Sequence, residues 1–262
     1  MDLGLEGKRA LVLASSRGLG LGIAEALAAE GCHVLLTART EARLSAAAAA
    51  ITARGAGRAE HVRADLADPA VVDVLADAVD RRLGGVDVLV NNTGGPPPGR
   101  MADAEPDMLA RHFETMVLRV VALTARLLPG MRERRWGRVV TVASSGVIQP
   151  IPNLGLSNAL RSALVGWSKS LANDVAADGV TVNMLLPGRI HTDRVDELDA
   201  AAAERTGASL EETRAASRAT IPAGRYGTVE EFSAVAAFLA SEGASYVTGS
   251  LVRCDGGAIR SV

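Results

Sequence analysis

A chain of 262 residues, 48% of them apolar, has material for one large α/β core rather than two small domains. Its net charge of −2 gives no general attraction to nucleic acid or to an anionic membrane surface. Two cysteines, Cys32 and Cys254, are too few for a disulfide framework, and both lie in strand-like contexts that suit buried free thiols. No charged and then apolar leader precedes Leu3, and no apolar run approaches membrane-spanning length, so a cytoplasmic protein is expected.

Short apolar runs alternate with amphipathic stretches along the chain. Strands are expected at 10–13, 33–37, 60–63, 86–90, 138–142, 181–185 and 250–253. Helices are expected between them, at 18–30, 41–54, 69–83, 105–128, 157–177 and 229–241. Strand, helix, strand in succession calls for parallel pairing with right-handed crossovers. The expected fold is therefore α/β, a single-domain doubly wound parallel sheet of about seven strands with helices on both faces. Residues 1–262 read as one unit, within which the polar, Ala-rich stretch 190–221 reads as two short helices forming a substrate-side flap. Ligands of such sheets bind beyond the carboxyl ends of the strands, where the strand order reverses.

The first strand runs into Leu13-Ala14-Ser15-Ser16-Arg17-Gly18-Leu19-Gly20, a small-residue turn that opens an Ala-rich helix. That is how a loop turns backbone amides toward a pyrophosphate at a helix N-terminus. Further signals close later strands: Asp65-Leu66, Asn91-Asn92-Thr93-Gly94, Pro187-Gly188 followed by Thr192, and Asp255-Gly256-Gly257. Together these resemble the short-chain dehydrogenase/reductase family over essentially the whole chain, in the manner of its 3-oxoacyl-(acyl carrier protein) reductase-like members.

The resemblance implies a Rossmann-like dinucleotide site. It assigns Ser16, Arg17, Gly18, Leu19 and Gly20 to the phosphate turn, Asp65 and Leu66 to the adenine side, and Asn91 and Gly94 to the ribose side. Pro187, Gly188 and Thr192 fall at the nicotinamide end, with Arg161 on the nicotinamide ribose. Ala14 stands at the family's first glycine, which suits a backbone that needs no positive φ there. Leu13 replaces a hydroxyl that braces the neighbouring loop in the family. A carboxylate ending the second strand would accept from a ribose 2′-hydroxyl and repel a 2′-phosphate. Here Ala38-Arg39-Thr40, with Arg17 in the turn, offers two guanidinium forks and no acid, so NADP(H) is the expected cofactor.

In the family a serine polarises the substrate carbonyl and a tyrosine thirteen places on transfers the proton. A lysine four beyond it lowers the phenol's pKa, and an asparagine on the preceding long helix holds a relay water. Here the serine is Ser144, but the tyrosine position is Ser157, the lysine position Arg161 and the asparagine position Met116. A phenol titrates near about 10 and can be tuned, whereas an aliphatic hydroxyl is far less acidic and a guanidinium does not pass protons on. Tyr226 and Tyr246 read as structural. His191, just past Pro187-Gly188, is a possible proton source or else a solvated flap residue. Asn158 can orient a substrate but is a poor acid.

Proline-stiffened stretches at 94–99 and 149–152 suggest a pre-formed apolar entrance. Metal-ligand spacing, a P-loop and a serine-hydrolase elbow are all missing from the sequence. The resemblance further implies a homotetramer joined through 105–128 and 157–177. Three readings stay open: an NADP(H)-dependent oxidoreductase of a small-molecule carbonyl or alcohol with a non-standard proton donor; a non-redox cyclase, isomerase or dehydratase on the same scaffold; and a catalytically silent relative.

Overall fold

Alternate residues of the expected strands are apolar on both sides, and in the computed structural model, which describes residues 2–261, each side has its own cover. Strand β1 (Arg9–Val12) is followed by helix α1 (Gly18–Ala29), β2 (His33–Ala38), α2 (Glu41–Ala53), β3 (Arg58–Arg63), α3 (Val71–Leu83) and β4 (Val88–Asn91). Ala10, Val12, Val34 and Leu36 pack with Ile23, Leu27, Leu44 and Phe232, under α1, α2 and the later helix α9 (Val229–Ala240). Leu11, Leu13, Leu35 and Leu89 point the other way, into Leu75, Val79, Leu123 and Val175. Burial on both faces is why these strands read as continuous apolar runs.

The second half continues with α4 (Pro106–Phe113), α5 (Arg119–Glu133), β5 (Gly137–Val142), α6 (Gly155–Val175), β6 (Val180–Pro187), α7 (Asp193–Thr206), α8 (Leu210–Ala219), α9 and β7 (Leu251–Cys254). The seven strands pair in the order β3-β2-β1-β4-β5-β6-β7, all parallel. The order reverses between β1 and β4, so the crevice beyond Val12 and Asn91 is the place for a ligand.

Two elements differ from expectation. The helix expected at 105–128 is α4 and α5 joined by one wide π-turn, Glu114–Leu118, and α5 runs on through Pro129 to Glu133. Single π-turns of this kind recur at functional sites, and Met116 lies inside this one. The stretch at 190–221 forms the two expected helices, α7 and α8, and the second is closed by a capping box between Ser209 and Glu212. Among the described residues, no helix is long and apolar enough to cross a membrane.

Candidate active site

The glycine turn is held from three sides. Ser15 Oγ donates to Val12 O at 2.8 Å and accepts from Thr37 N at 2.9 Å, tying the turn to β2. Asn92 Nδ2 donates to both Leu13 O and Ala14 O at 3.3 Å, a brace that offsets the missing hydroxyl at Leu13. Gly18 has φ +57°, and a Cβ on Gly20 would collide with Ala14 O and Asn92, so both glycines are required by geometry. Arg17, the residue before α1, makes no side-chain cap, which leaves the first amides of the helix free for an anion. Ala14 departs from expectation. It adopts φ +48°, so this position does call for the left-handed region and the Cβ is tolerated under strain.

The basic residues divide. Arg17 Nη1 pairs with Asp193 Oδ2 at 3.0 Å, at the start of the flap, rather than standing beside Arg39. Arg39 is exposed, and its carbonyl accepts from Arg63 Nε at 3.1 Å, so a second cation from β3 joins the end of β2. Glu41, the nearest acid in sequence, is engaged by His61 at 2.9 Å. Asp65 folds its own loop, accepting from Ala67 N at 3.0 Å, with Leu66 half-buried beside it. The Asn91 side chain is turned into the core, donating to Thr124 Oγ1 at 3.1 Å, so only its backbone can face the crevice. Gly94 opens onto free space. Gly188 packs on Asp255, where a Cβ would approach to 2.7 Å, which explains why Asp255-Gly256-Gly257 follows the last strand. Thr192 stands at the N-cap of α7, and its Cγ2 lies 3.8 Å from where a Gly18 Cβ would be, so the start of α7 reaches back to Gly18 in the turn Ser16-Arg17-Gly18-Leu19-Gly20.

Beyond β5, Ser144 follows the strand's end, while α6 carries Ser157 and Arg161, and Arg161 reaches back to Val142 on β5. Ser144 Oγ accepts from Gly146 N at 3.0 Å, which leaves its proton for another acceptor. Ser157 is half-buried in the first turn of α6. Four residues on, on the same helix face, Arg161 is 8% exposed and donates from Nη1 to Val142 O at 2.9 Å. Burial pushes its pKa down to about 10, and the neighbouring charge of Arg194 adds to the effect. Met116 is buried against Leu156, Leu160 and Met184, and its π-turn is bridged by Arg119 and Glu114 at 2.8 Å.

Among the described residues, neither tyrosine is placed to stand in for the family's. Tyr226 donates to buried Asp199 at 2.9 Å, and its pKa is raised by burial and by that carboxylate. Tyr246 is fully exposed. His191 lies 3.4 Å from Asp196 with its ring largely in solvent, on the flap's outer side. Asn158 holds a loop rather than a substrate: its amide brackets Ile151, accepting from N at 3.3 Å and donating to O at 3.0 Å. The first proline-stiffened stretch meets the residues just after the second: Gly99 bridges to Leu154, and Gly99 N donates to Asn153 O at 2.7 Å. Sequence reasoning missed Ser15, Asn92 and Arg63 as positioning residues, and gave Asn158 a substrate rather than a loop to orient. The doubled asparagine after the fourth strand was the one available signal for Asn92. Among the described residues, no cluster of three or more His, Cys, Asp or Glu could hold a metal.

Comparison with known proteins agrees with this geometry. A family model described as "Enoyl-(Acyl carrier protein) reductase" matches residues 13–258. The 3-oxoacyl-(acyl-carrier-protein) reductase FabG of Escherichia coli is 36% identical over 260 residues, covering 97% of this chain and 98% of that protein. L-sorbose reductase from Gluconobacter frateurii, solved with NADPH and L-sorbose, superposes with a TM-score of 0.94 at 33% identity, covering 100% of both chains. An actinorhodin polyketide ketoreductase variant solved with NADPH gives 0.91 at 32% identity, covering 96% of this chain and 97% of that one. With its glycine turn, its strand order and the span of these matches, the chain belongs to the short-chain dehydrogenase/reductase family.

Proposed function

We propose that the protein is an NADP(H)-dependent carbonyl reductase whose proton comes from water rather than from a tyrosine. The observation that carries this reading is the cofactor end: an α1 N-terminus with free amides, Gly18 and Gly20 shaped for close approach, and cations at the end of β2. The residues fit the dinucleotide. Ser16 through Gly20 would hold its phosphates, and Arg39, supported by Arg63 and joined by Arg17 on release from Asp193, would hold the 2′-phosphate. Asp65, Leu66, the Asn91 backbone and Gly94 would line the adenosine side. Pro187, Gly188, Thr192 and Arg161 would bound the nicotinamide end. When bound, this group supplies the hydride.

The chain's own residues then do three things. Ser144 donates a hydrogen bond to the substrate carbonyl oxygen and polarises it, keeping its own proton. Arg161, pinned to Val142, holds a fixed positive charge near the developing oxyanion. Ser157, lacking the ring of a tyrosine, leaves room for a water that hands over the proton. The joined loops at Gly99 and Leu154 hold an apolar substrate against this end. In the homotetramer that the resemblance implies, exposed Phe113 and Leu118 on the α4–α5 face would be covered by a second copy.

The altered residues 116, 157 and 161 favour one other reading, a non-redox enzyme on the same scaffold. A fluorescence titration with NADPH and, in parallel, NADH separates them. Tight NADPH binding, weakened at least about tenfold by Arg39→Ala while NADH binding barely changes, supports the reductase. Binding of neither dinucleotide sinks it.

A further inference from the structure

Among the described residues, Arg161 is a buried cation with no paired carboxylate. It is 8% exposed, its hydrogen bond goes to a backbone carbonyl, and the charge acting on it is a second cation, Arg194. With its pKa near about 10 it stays charged at neutral pH. Four carboxylates of α7, within residues 193–199, are already engaged. Asp193 pairs with Arg17, Glu197 with Arg194, Asp196 with Arg214 and His191, and Asp199 with Arg189 and Tyr226. Ser144, two residues beyond Val142, and Ser157, four residues before Arg161 on α6, carry hydroxyls and no negative charge. Hydroxyls orient toward a charge but do not neutralise it, and an uncompensated buried charge is costly.

Arg194 stands at the mouth of the same site. From the first turn of α7 its Nη2 donates to Pro96 O at 3.1 Å, so the guanidinium spans from the flap to the proline loop. The phosphates of a dinucleotide belong at the glycine turn and leave this end uncompensated. We propose that the substrate itself carries a carboxylate, which seats between Arg194 and Arg161 while its apolar part lies along the proline-stiffened loops. The substrate class is thus an anionic, otherwise apolar carbonyl compound. This rests on the reductase reading for the carbonyl but not for the charge.

The test uses a matched pair, 2-oxo-4-phenylbutanoate and its ethyl ester, titrated calorimetrically into the full-length protein with and without saturating NADPH. The acid is expected to bind at least about tenfold tighter than the ester, a difference of about 1.4 kcal/mol. Arg194→Met should abolish that preference with ester binding unchanged, and Arg194→Lys should restore part of it. Equal binding of acid and ester, a preference that survives Arg194→Met, or no binding of the acid each overturns the proposal. If Arg194→Met instead weakens NADPH binding and leaves the acid alone, the charge belongs to the cofactor and the proposal also fails. Failure of NADPH to bind, with the acid still preferred in its absence, removes the reductase reading and retains the anion site.

Discussion

Ala14 and Ser157 show what one side chain can and cannot reveal. Ala14 was legible as a departure from a glycine pattern, but the sign of its φ was not, because a small residue is compatible with either region until the chain around it is placed. The φ of +48° implies strain, so Ala14→Gly should stabilise the protein by about 1 kcal/mol, read as a higher urea midpoint with an unchanged slope. An unchanged or lower midpoint would show the turn relaxed around the methyl. At the other end, the resemblance to the family implies a phenol at the position where Ser157 stands. Restoring it with Ser157→Tyr and Arg161→Lys together should raise carbonyl reductase turnover about 100-fold, the usual worth of a placed general acid. No gain in single-turnover rate would count against proton transfer as the deficit. Arg17 was not legible. An arginine in a glycine turn announces its charge but not its direction, and here Asp193, far off in sequence, takes it.

Elements were easier to read than their joints. Every expected strand and helix is present because burial on two faces or one leaves a period in the sequence. The π-turn between α4 and α5 left no such trace: one extra residue per turn shifts the apolar period by too little to break it. The flap was legible as two helices, but not its fastening. Asp199, fully buried between Arg189 and Tyr226, looks in sequence like any acid of a polar, Ala-rich helix. Asn158 is a similar case, since its role depends on Ile151 folding back seven residues to meet its amide.

At the scale of the whole molecule the two edges of the sheet divide the labour. The carboxyl edge carries the site, while the amino edge is clamped by Asp87. Its carboxylate accepts from Arg9 Nη2 at 2.7 Å, Arg9 Nε at 2.8 Å and Arg134 Nε at 3.2 Å, joining β1, the start of β4 and the end of α5. Burial pushes this carboxyl up, but hydrogen bonds from Arg9 and the charges of Arg9 and Arg134 outweigh it and hold the pKa below the ordinary value. A carboxylate with a depressed pKa in the folded state stabilises fully above its unfolded pKa of about 3.9 and loses that contribution as pH falls through the folded value. Asp87→Asn should therefore cost about 2 kcal/mol at pH 7 and progressively less as pH falls below about 4. Chemical denaturation across that range checks it, and a cost that does not change with pH would mean the clamp acts by packing.

The pair between Arg17 and Asp193 ties the glycine turn to the start of α7. Both side chains are more than half exposed, so the bond is worth at most about 1 kcal/mol and is screened by salt. A doubly charged phosphate is a stronger partner for the same guanidinium than one carboxylate. On the proposed function, a dinucleotide 2′-phosphate would take Arg17 from Asp193, so that cofactor binding and release of the start of α7 would be one exchange, reversed when the cofactor leaves.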